Sequence, residues 1–182
     1  MPEEESDKIT VSALDASRRQ IETAISLWFS DGDAVSIHTL VAAAHHVCHD
    51  ISKARGGKSW ALFNMDFINP EHQSEYKKRI CEAENFFKHA ERNPNPNATV
   101  TFSTSITELY ILDAIEMFFA LNGCRTHLMS AFQFRFLTLN PELALRDSFP
   151  MFFQSLSVEW ASLSKAQFLD AYTQVREKFW PE

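Results

Sequence analysis

Apolar residues return every three or four positions through most of this 182-residue chain, a period that belongs to helices rather than strands. Leu14, Ile21, Ala24, Ile25 and Trp28 fall on one line, and Ile37, Leu40, Val41, Ala44, Val47, Cys48 and Ile51 on a second. Asp31-Gly32-Asp33 separates the two stretches, with Asp33 placed to cap the second helix, and Gly56-Gly57 ends it. A third helix is expected from Pro70 to Glu91, where Tyr76, Ile80, Ala83, Phe87 and Ala90 align, before the breaker Asn93-Pro94-Asn95-Pro96-Asn97. Ser105 and Glu108 have capping-box spacing and open a fourth helix to about Asn122, apolar nearly all round and therefore expected at the centre. Another helix follows Gly123, Asn140-Pro141 starts a short one, and Ser164 with Gln167 caps the last, where Phe168, Tyr172, Val175 and Phe179 keep the period. Residues 98–102 lean toward an extended conformation but are too short to change the class. The expectation is an all-α bundle of about five to seven helices over residues 11–182, preceded by a mobile acidic leader at 1–10.

Composition narrows the function classes. Four Gly and seven Pro are few turn devices for an all-β chain, while 45% hydrophobic residues, with sixteen Phe and four Trp, supply a large core. The net charge of −7 argues against non-specific nucleic-acid binding, which needs a broad field of Lys and Arg, but leaves room for a local basic patch. Cys48, Cys81 and Cys124 are odd in number and widely spaced, so neither a disulfide framework nor a zinc knuckle is indicated. With no apolar run long enough to span a bilayer and no secretory h-region, a cytoplasmic protein with no membrane role is expected. Gly57-Lys58-Ser59 ends like a phosphate-binding loop, but Ser52 stands where that motif needs its first Gly, and a helix precedes it.

Two constellations carry chemistry. On the second helix His38, His45 and His49 lie within roughly 40° of one another on the shoulder of the apolar face, while His46 points further out. His45 and His49, at i and i+4, have the spacing to share a divalent metal, with Glu84, Glu108, Asp113 or Glu116 as a third ligand. The alternative is a row of histidines hydrogen-bonding across the bundle; no other cofactor is predicted. On the third helix Lys78, Asn85, His89 and Arg92 project within roughly 60° of each other, with Lys88 close by. Cations, an amide and an imidazole on one face suit an anion such as a phosphodiester, and imidazole suits proton transfer near neutral pH. The alternative is a solvated face with cations near a helix C-terminus.

The segment Glu84-Asn85-Phe86-Phe87-Lys88-His89-Ala90 resembles the signature helix of the HEPN superfamily, small all-helical domains of bacterial defence systems, many of them metal-independent ribonucleases. The family pattern is Arg, a polar residue, three variable residues and His; Asn85 and His89 match it, and Glu84 replaces the Arg. The resemblance implies a bundle, a homodimer, and a non-catalytic role in binding RNA or a partner protein. If Arg92 replaces the missing arginine, it implies instead a ribonuclease using His89. A further expectation is an oligomer whose interface uses surplus aromatics such as Trp60, Phe132, Phe134, Trp160 and Trp180.

Overall fold

The computed structural model describes residues 8–57, 62, 68–92, 94–143 and 159–179. Among these residues the secondary structure is helical, with no strand; residues 98–103 run without helix or strand into the next helix. Most of the leader, together with Trp60 and Trp180, lies outside the described residues.

Helix α1 (Ala13–Phe29) starts at Ser12, whose hydroxyl accepts from Asp15 N–H, and α2 (Ala34–Ala54) starts at Asp33, which caps Ser36 N–H at 2.7 Å. The tight turn between them folds the two into a helical hairpin, and α1 and α2 pack along their length. Helix α5 (Thr104–Asn122) packs against α2 and α1 with Tyr110, Ile111, Ala114, Ile115 and Phe118 fully or almost fully buried. It is the central helix its all-round apolar surface predicts. Helix α6 (His127–Leu139) packs on α1, and α7 (Lys165–Phe179) closes that end, its start capped reciprocally by Ser164 and Gln167.

Phe29, Phe134, Trp160, Phe168 and Tyr172 form one aromatic cluster there, with Trp160 and Phe168 edge to face at 5.3 Å. Arg135 is 5% exposed and donates to the Trp160 and Leu163 carbonyls at 2.6 Å each, so it ties α6 to the start of α7. Phe132, Phe134 and Trp160 are therefore core residues and not an interface, because burying them against α1 and α7 removes far more apolar surface from water than a rim position would.

Two further expectations need correction. The third helix is not continuous: α3 (Pro70–Ile80) ends at Cys81, whose φ −89° and ψ 2° leave the helical region, and α4 (Glu82–Lys88) restarts from it and stops at His89. The capping box at Ser105 and Glu108 does not form. Ser103 caps instead, and the Glu108 carboxylate is drawn away to accept from Trp28 Nε1 at 3.0 Å. No helix among the described residues is long and apolar enough to cross a membrane.

Candidate functional site

The histidines of α2 separate into three environments. His38 is 1% exposed, with Nδ1 and Thr107 Oγ1 hydrogen-bonded at 2.9 Å and its ring packed against Phe87, Phe102 and Tyr110. Burial holds this imidazole below its ordinary pKa. His45 is fully buried and donates from Nε2 to Asp113 Oδ2 at 2.8 Å, and the same oxygen accepts the Leu62 backbone N–H at 3.2 Å. Both side chains thus bond across the α2–α5 seam, and Asp113 also fastens Leu62 to it. His49 is half-buried, and burial followed by the neighbouring His45 lowers its pKa.

The carboxylates that could complete a metal set around His45 and His49 already have hydrogen-bond partners. Asp113 holds His45 itself, Glu108 holds Trp28, and Glu116 holds Arg125 at 2.6 Å and Gln133 at 2.9 Å. Among the described residues no grouping of three or more His, Cys, Asp or Glu donors includes His45 or His49.

His46, expected to point outward, lies under α4. Its Nε2 donates to Glu84 Oε1 at 2.6 Å, and Lys88 Nζ stands 3.6 Å from Glu84 Oε2. Glu84 is only 4% exposed. Burial pushes its carboxyl up, but the hydrogen bond and charge of His46, helped by Lys88 and Cys81, hold it below the ordinary value. Cys81 closes the same spot; burial and the Glu84 carboxylate push its thiol up to about 11. The signal for Glu84 was present in the sequence. Four residues after Ile80 and three before Phe87, it sits on the apolar side of the helical wheel, where a carboxylate needs a partner.

Beyond this buried cluster, the far end of α4 exposes the residues of the predicted anion face. Arg92, in the short 3₁₀ turn Ala90–Arg92, donates from Nη1 to Asn85 Oδ1 at 2.8 Å across seven residues of chain. His89 caps α4 and its Nδ1 meets Glu91 Oε1 at 2.9 Å. The structure brings Asn85, His89 and Arg92 together and leaves Lys88 turned toward Glu84. Lys78 is on α3, beyond the break at Cys81, and no hydrogen bond or ion pair among the described residues links it to the others. From Pro70 to Arg92, Glu71, Glu75, Glu82, Glu84 and Glu91 offset Lys77, Lys78, Arg79, Lys88 and Arg92. The surface therefore suits one discrete anionic group better than a polyanion track.

A shallow cleft elsewhere is lined by Trp28, Ile37, Thr107, Glu108 and Lys165. Its charged groups already engage each other or Trp28: Lys165 meets Asp31 at 2.8 Å and lies 4.2 Å over the Trp28 ring. Comparisons with protein-family models, with curated proteins and with solved structures find no match for this chain.

Proposed function

We propose that this is a cytoplasmic helical-bundle binding protein, HEPN-like and non-catalytic, which acts as a homodimer and holds a phosphate of an RNA partner at the end of α4. The observation that carries the reading is the Arg92–Asn85 hydrogen bond. It orients a guanidinium at an exposed helix end while using one of its five N–H donors, and a planar fork of such donors matches a phosphate. His89 lies beside it and donates from Nε2 when its ring is protonated, and Lys88 can turn outward on its flexible stem.

Fluorescence anisotropy with a short single-stranded RNA at low salt tests the reading. Replacing Lys78, Lys88 and Arg92 together by Ala is expected to weaken binding by about tenfold or more, the worth of one lost charge-assisted hydrogen bond. Arg92→Ala alone should account for most of that loss, since Lys78 stands on a different helix. No binding by the unmodified protein, or binding untouched by the triple change, ends the proposal. Sedimentation at micromolar concentration examines the homodimer separately, and a monomer removes that part.

One observation favours cleavage over binding. The His89–Glu91 bond engages Nδ1, which leaves Nε2 as the nitrogen to exchange a proton with a substrate. On that reading Arg92 offsets the developing phosphodiester charge, and His89→Ala abolishes turnover of the bound RNA; unchanged turnover excludes it.

A further inference from the structure

We infer that His46, Cys81 and Glu84 form a binding site for one divalent metal ion of zinc type, clamping α4 onto α2. One nitrogen, one sulfur and one oxygen of these side chains all lie within 4.8 Å of one another. They come from separated parts of the chain: His46 from the flank of α2, and Cys81 and Glu84 from one turn at the break between α3 and α4. The three-residue spacing of Cys81 and Glu84 puts both donors on one side of that turn, facing the imidazole.

Imidazole, thiolate and carboxylate are together the donor set that zinc accepts and that magnesium or calcium would not select. A tetrahedral zinc ion places its ligand atoms roughly 3.3–3.7 Å apart, given bonds of about 2.0–2.3 Å. The His46–Glu84 pair, now hydrogen-bonded at 2.6 Å, would open by roughly an ångström, and the other separations, none above 4.8 Å, would close by at most about 1.5 Å. Coordination releases the proton that His46 donates to Glu84 and the Cys81 thiol proton to solvent.

A second, independent feature points to a cation. Glu84 Oε2 is buried and has no hydrogen-bond partner, Lys88 Nζ at 3.6 Å being beyond hydrogen-bond reach. Lys88 offers that oxygen a nearby charge but no bond, and a buried carboxylate oxygen left unbonded costs free energy that a metal between the three side chains would recover. One thiolate and one carboxylate neutralise a doubly charged ion. The His46 side chain is 36% exposed, so the site reaches solvent on that side, from which water would supply a fourth ligand.

The test uses the full chain, purified without a histidine tag, stripped with a chelator and kept reduced. Cys124, the exposed thiol, is replaced by Ser throughout. Titration with Co²⁺ alone is expected to give a thiolate-to-metal charge-transfer band and tetrahedral d–d bands that saturate at one equivalent, with Zn²⁺ displacing the cobalt. Cys81→Ser should abolish the charge-transfer band. His46→Gln and Glu84→Gln should each weaken affinity by about 10- to 100-fold or more, the range found for loss of a mere orienting partner. His49→Ala should leave the spectrum unchanged.

The site is overturned if the parent protein shows no such band, or if the band survives Cys81→Ser. It is equally overturned if His49→Ala removes binding that His46→Gln spares. Far-UV circular dichroism checks each variant; should Cys81→Ser not fold, the half-exposed His46→Gln change decides the matter. None of these readouts depends on RNA binding.

Discussion

Asp113 illustrates how a residue can look like a ligand and act as a joint. Its Oδ2 accepts from His45 Nε2 on α2 and from the Leu62 backbone, and both donors are buried. Removing the carboxylate would leave two buried donors without their acceptor, the costly kind of loss. Asp113→Ala is expected to lower unfolding free energy by about 3 kcal/mol in urea titrations, and Asp113→Asn by less because it keeps one acceptor oxygen. Equal losses for the two changes would show that packing, not hydrogen bonding, sets the role of Asp113. The spacing of His45 and Asp113 along their helices was visible in the sequence, but which imidazole would meet which carboxylate was not. That choice needs the relative rotation of α2 and α5, which no pattern within either helix carries.

At the scale of elements, the stripes on α1, α2 and α7 and the all-round apolar surface of α5 were legible because helix signals sum over many residues. The break at Cys81 was not. No Gly or Pro marks it, and the apolar period passes through it without interruption. The capping residue of α5 was misplaced for a related reason. Ser103, Thr104 and Ser105 can all cap, and Glu108 is claimed by Trp28 from another helix. Where a terminus is set by local backbone alone, the sequence is a better guide. Gly123 ends α5 at φ +81°, with open space where a side chain would start. Gly123→Ala is therefore expected to cost about 1–2 kcal/mol through backbone conformation alone, measured by urea midpoint. A neutral outcome would mean that α5 can end without a left-handed residue.

For the whole molecule, buried imidazoles give stability a definite pH dependence. The folded chain holds the His38 and His49 pKa values below the ordinary 6.5, so the unfolded chain binds protons that the folded one resists. Their neutral forms cost nothing above that value, and stability falls as pH drops below it. The urea midpoint of chelator-treated protein should accordingly be lower at about pH 5.5 than at about pH 7.5. His38→Leu should flatten that slope, whatever it does to the midpoint itself. A slope identical in parent and variant would rule out His38 as a source.

Periodicity along the chain determined that this protein is a bundle of helices, where α1, α2, α5, α6 and α7 run, and which apolar lines on α1, α2 and α5 face its core. It could do so because each of those properties is a one-dimensional repeat, legible from neighbours three and four residues away. Tertiary packing alone decided that α4 lies on the flank of α2 and covers His46, that Glu84 takes His46 as its partner, and that Arg92 returns to Asn85. Those facts depend on how rigid helices rotate and dock against one another, and the period of a single helix is unchanged by any such rotation.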